Sequence, residues 1–123
     1  MTPKEIVMSG YQSFSEGNMD SLSKIFHEDA IIRVNGNHKY SRDYKGFSDW
    51  CDNFLVHLPI NYPNFDLDIL NVVSEGKHVH VRVRYKADNL DTEAVHMFVV
   101  ENELQVEFII FDDSQMIAEA LSG

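Results

Sequence analysis

The stretch HVHVRVRYK, residues 78–86, alternates between basic and apolar side chains without interruption. Successive side chains of a β-strand point to opposite faces, so the apolar residues share one face and the basic residues share the other. The two faces hold Val79, Val81, Val83 and Tyr85 on one side, and His78, His80, Arg82, Arg84 and Lys86 on the other. The pattern predicts a strand of an antiparallel sheet, in which one face is commonly buried.

Other segments predict the remaining strands. Residues 66–73 alternate weakly, and residues 94–100 and 104–111 are rich in β-branched and aromatic side chains, which are favoured in strands. Turns rich in Gly, Asn and Glu separate these segments, so the four strands are expected to form an antiparallel meander. A shorter strand at residues 30–34 precedes them and ends at an Asn-Gly-Asn turn.

Three helices are predicted before the meander. Residues 2–5, TPKE, are typical of a helix start because Thr caps, Pro fits the first turn and Glu completes a capping box. Asn18 is expected to cap a short second helix. Apolar residues recur at helical spacing over residues 47–58, and Pro59 is expected to end that helix. Residues 114–121 predict one or two further helical turns.

This order of elements separates the helices from a meandering sheet, which favours an α+β fold. The chain of 123 residues is the size of a single domain, and no change of composition divides residues 1–123. The net charge of −10 disfavours nucleic acid and anionic membrane surfaces as partners. No apolar run is long enough to span a membrane, and the first residues do not resemble a secretory signal. The single Cys51 fits a reducing cytoplasm.

Four stretches carry a resemblance to a known superfamily. They are EGNMDSLSKIFHEDAIIRVNG (16–36), YKGFSDWCDNFL (44–55), HVHVRVRYKADN (78–89) and MFVVENELQVEFIIFDD (97–113). Together they resemble the nuclear transport factor 2-like superfamily, and most closely its SnoaL-like and ketosteroid isomerase-like group. The resemblance implies a cone, in which a curved, mostly antiparallel sheet wraps around three N-terminal helices. It also implies a small-molecule pocket at the wide end of the cone and, in many members, a homodimer.

The functional residues of the group are only partly kept. The three positions that ketosteroid isomerases use fall on Gly10, Val34 and His96, none of which matches, so that isomerase mechanism is not expected. The epoxide hydrolases of the superfamily have an Arg that Arg82 matches, but their partner Asp is replaced by Arg84. Asp112 matches the Asp at the end of the last strand in the hydrolases and in SnoaL-type polyketide cyclases. The resemblance therefore implies that Asp112 is a catalytic residue.

The basic strand face has two interpretations. In the first, which follows the register of the resemblance, His80, Arg82 and Arg84 point into the cone and bind an anionic group, for which the planar guanidinium is well suited. In the second, the valine face fills the core and the charged residues lie in water, which is the commoner arrangement of an antiparallel sheet. The first interpretation makes these three residues ligand-binding residues.

His96 and Asp112 are the candidate catalytic pair. His96 lies alone in an apolar strand, where it is either a hydrogen-bonded core residue or an acid–base group in the pocket. Glu107 is expected to orient His96 and to be a further ligand-binding residue of the pocket. Alternation puts Asp112 on the face opposite Glu107, so Asp112 reaches the same pocket only through a bulge or the strand's end. Asp113 or Ser114 alternatively caps the last helix.

The aromatic residues of the predicted helix faces are first of all core residues, and some also line the cavity: Tyr11, Phe14, Trp50 and Phe54.

Neither a metal nor a cofactor is expected. His78 and His80 share a strand face, but the neighbouring arginines disfavour a cation there.

The leading hypothesis is a homodimer that binds an anionic or polar-headed apolar small molecule and performs isomerase-, cyclase- or hydrolase-type acid–base chemistry. The alternatives are a non-catalytic ligand-binding or accessory domain and an interaction module whose cavity is filled. The dimer is expected to form through the outer sheet face, with Val83, Tyr85, Phe108 and Ile110 as contact residues.

Overall fold

The computed structural model describes residues 1–122, with side chains described for residues 1–121. The helices are α1 (Pro3–Ser15), α2 (Met19–Ser23), α3 (Gly46–Asn53), α4 (Leu58–Asn61) and α5 (Ser114–Ser122), with a 3-10 turn at Leu55–His57. The strands are β1 (Phe26–Val34), β2 (Arg42–Lys45), β3 (Asp66–Glu75), β4 (His78–Ala87), β5 (Leu90–Glu101) and β6 (Leu104–Phe111). None of the helices within residues 1–122 combines the length and the apolar character that crossing a membrane requires.

The six strands form one sheet in the order β2-β1-β6-β5-β4-β3. Neighbouring strands are antiparallel except β1 and β6, which run parallel. The expected α+β cone is confirmed, with the helices against one face of a curved sheet. Two strand features differ from expectation. β1 begins at Phe26 and contains a register shift before Ile31, and the short edge strand β2 was not predicted.

The sheet buries the apolar face of β4. Val79, Val81 and Val83 are fully buried, and they pack with Ala94 and Phe98 of the neighbouring strand β5 into the core. The hydrophobic effect decides the orientation, because burying the valine face removes apolar surface from water while the basic face stays hydrated. The interpretation that turns the basic face of β4 into the cone is therefore wrong.

The basic side chains of β4 lie on the outer face of the sheet and pair with acidic residues of β5. Arg82 forms an ion pair with Glu93 at 2.6 Å, and Arg84 makes two hydrogen bonds of 2.8 Å to Asp91. All four side chains are substantially exposed, so these pairs add little to stability.

The first two helices begin as the sequence predicts. The Thr2 hydroxyl accepts a hydrogen bond from the backbone N–H of Glu5 at 3.2 Å, and the Glu5 carboxylate accepts one from the backbone N–H of Thr2 at 2.8 Å. Asn18 caps α2 through the backbone N–H of Ser21. A side chain at Gly10 would meet Ile25 at 2.8 Å, so glycine lets α1 and the segment after α2 approach closely.

The predicted third helix is interrupted. α3 ends at Asn53, a 3-10 turn follows, and α4 begins at Leu58. Pro59 has no backbone N–H to donate one turn back, so a continuous α-helix cannot pass through it. It lies instead in the first turn of α4, where proline is tolerated. Trp50 of α3 is only 5% exposed, as its predicted place on the helix face requires.

The four contact residues expected for a dimer lie on the inner face. Val83, Tyr85, Phe108 and Ile110 are each buried in the core of the single chain. They cannot contact a second copy across the outer face of the sheet, so this part of the dimer prediction is wrong. The outer face of β5 and β6 presents other apolar side chains, among them Val95 and Phe111.

Candidate functional site

A cavity of about 80 Å³ lies between the inner face of the sheet and the helices. Its walls are largely aromatic: Tyr11, Phe14, Phe26, Trp50, Phe54, Tyr62, Phe65, Tyr85, Phe98 and Phe108. The polar side chains that join them include His96, Gln105 and Asp112. A mostly apolar cavity with a few convergent polar groups is typical of a small-molecule site.

The cavity brings together six of the ten predicted site residues. The two candidate catalytic residues, His96 and Asp112, both line it, together with the four predicted aromatic residues Tyr11, Phe14, Trp50 and Phe54. The other four predicted residues do not line the cavity within the described part of the chain: His80, Arg82, Arg84 and Glu107. They lie on the outer face of the sheet because they alternate with residues that fill the core. Their predicted role in the pocket is therefore wrong.

Asp112 reaches the cavity because it follows the last residue of β6 in phase with the inward-facing Phe108 and Ile110. Its side chain is 5% exposed, and its Oδ2 lies 3.1 Å from Nε2 of His38, whose side chain is 1% exposed. The other carboxylate oxygen, Oδ1, is buried and has no hydrogen-bond partner among the described residues. The His38–Asp112 pair thus leaves one buried carboxylate oxygen without a hydrogen-bond partner.

The parallel pairing of β1 and β6 explains how His38 meets Asp112. Val34 and Ile110 are register partners, so the segments that follow these two parallel strands leave the sheet side by side at the same end of the strands. Gly36 has φ +95°, and a side chain there would lie 2.7 Å from Ser114. The backbone N–H of Asn37 donates to the Ser114 hydroxyl at 2.6 Å. The loop after β1 is therefore fixed against the start of α5, with His38 facing Asp112.

Local hydrogen bonds also decide which ring nitrogen of His38 carries the proton. Its Nδ1 accepts the backbone N–H of Tyr40 at 3.1 Å, so Nδ1 has no hydrogen in this arrangement. The proton of the neutral ring is then on Nε2 and is donated to Asp112 Oδ2. His38 thus holds the Asp112 carboxylate in one orientation through the hydrogen bond from its Nε2.

His96 lies between two tyrosines. Its Nδ1 is 2.6 Å from the Tyr11 hydroxyl and its Nε2 is 2.5 Å from the Tyr85 hydroxyl. Burial lowers the pKa of His96 to about 3, and burial also raises the pKa of both tyrosines above the ordinary value. The three side chains are therefore neutral near pH 7. Glu107 lies on the opposite face of the sheet, so the expectation that it orients His96 is wrong.

Counting hydrogens defines what this Tyr11–His96–Tyr85 chain can do. Each of the three neutral groups has one polar hydrogen, and the chain contains two hydrogen bonds. One hydroxyl hydrogen is therefore left over, at Tyr11 or at Tyr85 according to the tautomer of His96. The three linked side chains therefore always retain one O–H donor for a further acceptor. Reversing the direction of both hydrogen bonds moves that donor from one tyrosine to the other.

A groove on the surface adjoins the cavity. It runs between α1, the 3-10 turn and the start of β3, and it shares six residues with the cavity walls: Tyr11, Phe14, Leu55, Leu58, Phe65 and Leu67. Tyr11 thus faces both spaces. Within residues 1–122, no group of three His, Cys, Asp or Glu side chains is arranged to hold a metal ion.

A comparison of the sequence with models of known protein families shows which family the chain belongs to. The family described as SnoaL-like domain matches residues 9–108, which is most of the chain. The chain belongs to the SnoaL-like family. A search of the curated proteins gave no significant match. Solved structures agree on the fold, and the similarity extends over nearly the whole SnoaL-like domain.

Three solved structures illustrate this similarity. Bal32a, from a soil-derived mobile gene cassette, is 22% identical with a TM-score of 0.87, over 97% of this chain and 95% of that one. A nuclear transport factor 2-like protein of Burkholderia thailandensis is 16% identical with a TM-score of 0.89, over 98% of each chain. TerC, co-crystallised with polyporic acid, is 15% identical with a TM-score of 0.86, over 99% of this chain and all of that one.

Sequence reasoning missed two residues of the site in this SnoaL-like domain. Tyr85, expected among the dimer contacts of the outer face, shares the buried valine face of β4 and hydrogen-bonds His96. His38 follows the Asn-Gly-Asn turn, and only the parallel pairing of β1 with β6 brings it to Asp112. The alternation of β4 shows that Tyr85 lies on the same face as the valines. No local sequence pattern indicates that His38 belongs to the site.

Proposed function

We propose that this SnoaL-like domain binds a largely apolar small molecule in its aromatic cavity and performs acid–base chemistry on it, with Asp112 as the catalytic base. One observation carries the proposal: Asp112 lines the cavity, and its buried Oδ1 lacks a hydrogen-bond partner among the described residues. A carboxylate oxygen in such a site is available to accept a proton from a bound molecule.

The surroundings of Asp112 support this role. His38 holds Oδ2, so the carboxylate keeps a fixed orientation while Oδ1 stays free for the substrate. A preorganised base of this kind loses little entropy when the substrate binds. The apolar walls exclude water, which strengthens the electrostatic interactions of the carboxylate with a bound group.

His96 contributes through the two tyrosines in this proposal. Because its pKa is about 3, His96 does not change charge near neutral pH and is not itself the acid–base group that one interpretation of the sequence expects. The neutral Tyr11–His96–Tyr85 chain instead donates its remaining hydroxyl hydrogen to an oxygen of the substrate as negative charge develops there. The co-crystal of TerC with polyporic acid supports a small organic molecule as the ligand of such a fold.

Proton exchange of a simple ketone tests the catalytic part of the proposal. Acetophenone is the probe, and deuterium incorporation into its methyl group in D₂O is followed by NMR. The parent protein is expected to accelerate exchange, and Asp112→Asn to lower the enzyme-dependent rate by about a hundredfold or more, since a positioned base contributes that much. Asp113→Asn removes the neighbouring exposed carboxylate and is the matched control, which should retain the rate.

Binding of the probe is measured in parallel. Trp50 is the single tryptophan and lines the cavity, so quenching of its fluorescence reports occupancy. Thermal stabilisation by the probe is a second, independent readout. Binding without accelerated exchange in the parent would leave the SnoaL-like domain as a non-catalytic ligand-binding protein. Equal exchange rates for the parent and Asp112→Asn would remove Asp112 from the mechanism.

A further inference from the structure

Two residues that line the cavity each have a buried polar atom with no hydrogen-bond partner in the described part of the chain. These atoms are Nε1 of Trp50 and Oδ1 of Asp112. The indole N–H can only donate, and an ionised carboxylate oxygen can only accept. Roughly nine in ten buried polar groups in native proteins are paired. An unpaired donor and an unpaired acceptor around one cavity indicate that a bound molecule completes both.

The position of the indole N–H is fixed by its neighbours. Trp50 is 5% exposed, and its ring packs against Phe54 at 5.8 Å, Phe108 at 5.4 Å and Phe26 at 6.1 Å between ring centroids. These three neighbours are hydrocarbon rings, which offer no lone pair. The donor therefore stays buried in one orientation, as a group that recognises a ligand must.

The charge of the cavity restricts the ligand further. Among the described residues that line it, none is Lys or Arg, and the arginines of β4 are paired on the outer face. Asp112 contributes a negative charge, and the chain as a whole carries −10. An anion in this cavity would lose its hydration without meeting a cation, which is costly in an apolar interior.

From these observations we infer that the cavity selects an uncharged molecule that offers a hydrogen-bond acceptor to Nε1 of Trp50 and a hydrogen-bond donor to Oδ1 of Asp112. Trp50 is then a specificity-determining residue as well as a core residue. The inference rests on the proposed function and deepens it, because it names the chemical class of the ligand. It also replaces the anionic ligand that the basic face of β4 suggested. Hydroxyl- and carbonyl-bearing aromatic molecules belong to this class.

Four probes of similar shape separate the contributions. Ethylbenzene has no polar group, acetophenone adds an acceptor only, 4-ethylphenol adds a hydroxyl that donates as well as accepts, and benzoate adds a negative charge. Each is titrated by calorimetry at pH 7. Acetophenone and 4-ethylphenol are each expected to bind about tenfold more tightly than ethylbenzene, which is a usual gain for a hydrogen bond made in a dry site. Benzoate is expected to bind more weakly than acetophenone.

Variants assign each gain to its atom. Trp50→Phe keeps an aromatic ring but removes the N–H, so the ratio of acetophenone to ethylbenzene affinity should fall several-fold. The 4-ethylphenol ratio should fall less, because its hydroxyl can still donate to Asp112. Asp112→Asn should lower the 4-ethylphenol ratio, and the matched control Asp113→Asn should change neither. Because each readout is a ratio within one protein, a general loss of packing in a variant cancels.

A spectroscopic readout tests the Trp50 contact without a mutation. The chain has one tryptophan, so ¹⁵N-labelled protein gives one indole N–H signal. Acetophenone is expected to move the indole proton downfield, and ethylbenzene, whose ring is the same, is not. A similar shift with both probes would mean that the N–H meets aromatic faces or water instead.

The possible failures are distinguishable. If ethylbenzene binds as tightly as the polar probes, the cavity selects by apolar surface alone, and the inference is wrong while the proposed binding function stands. If benzoate binds most tightly, the uncharged class is wrong. If none of the four probes binds, the proposed function fails as well.

Discussion

At the scale of single residues, His96 illustrates how burial determines what an ionisable side chain does. An exposed histidine changes charge near pH 6.5, which suits a general acid or base. His96 is enclosed by Phe98, Phe108 and the two tyrosines that hold its nitrogens. Desolvation of the imidazolium lowers its pKa to about 3, so the ring stays neutral and links two hydroxyl groups.

This neutral histidine makes the stability of the protein depend on pH. The unfolded chain binds a proton at His96 below about pH 6.5, whereas the folded protein does not until about pH 3. The contribution of His96 to stability is therefore complete above pH 6.5 and is lost as the pH falls towards 3. The free energy of unfolding should decrease by up to about 1.4 kcal/mol per pH unit in this window.

His96→Gln isolates the effect from the other titrating groups. The difference in unfolding free energy between the parent and the variant, from urea denaturation, should shrink by about 2 kcal/mol between pH 7 and pH 5. The ring signals of His96 in NMR should meanwhile show no titration down to pH 5. A constant difference between the two proteins, or a ring that titrates near 6.5, would contradict the predicted burial.

At the scale of elements, the loop between β1 and β2 depends on Gly36. Its φ of +95° is a conformation that side-chain-bearing residues rarely adopt, and a Cβ there would lie 2.7 Å from Ser114. The close approach to α5 is what brings the loop, and with it His38, against Asp112. The sequence Asn35-Gly36-Asn37 thus positions a site residue as well as making a turn.

Gly36→Ala should therefore destabilise the protein by about 3 kcal/mol, from backbone strain together with the clash against α5. Gly76→Ala is the matched control, because Gly76 also has a positive φ of +57° but meets nothing within 4 Å. It should lose only about 1 kcal/mol. Urea denaturation of both variants measures the difference, and equal losses would mean that contact with α5 contributes nothing.

At the scale of the whole molecule, the outer sheet face carries a patch of apolar side chains on its central strands β5 and β6. Val95 pairs with Phe111 and Met97 pairs with Ile109 in adjacent positions of the two strands. Val95 is 39% exposed and Phe111 is 38% exposed. Charged residues of the two neighbouring strands flank this outer patch: Arg82 of β4 beside Val95, and Arg33 of β1 beside Ile109. A contiguous apolar patch with a polar rim is typical of an interface.

We expect the chain to form a homodimer through the outer patch, in place of the buried residues first assigned to that contact. Phe111→Glu should put a charge in the interface and give a monomer in sedimentation equilibrium at micromolar concentration. Ile60→Glu is the control, since Ile60 is a highly exposed apolar residue of α4, away from the sheet, and should leave the dimer intact. A parent protein that sediments as a monomer would refute the expectation.

The sequence predicted most of the elements, because their signals are local. The capping box at Thr2, the cap at Asn18 and the alternation of β4 each depend on neighbours a few residues away, and each is present in the structure. The edge strand β2 was missed, since its four residues contain too little alternation to distinguish a strand from a loop. The break after Asn53 was missed because apolar residues keep their helical spacing up to Leu58.

The sequence by itself determined the fold family, the amphipathic strand and the candidacy of His96, Asp112 and four aromatic residues of the cavity. Which face of β4 is buried was decided by the tertiary structure, because alternation is symmetric until helices cover one side. The partners of the site residues were decided there too. Tyr11, Tyr85 and His96 lie on three elements, and His38 meets Asp112 across 74 residues. Contacts of that separation exist only once β1 has paired in parallel with β6 and the sheet has closed around the helices.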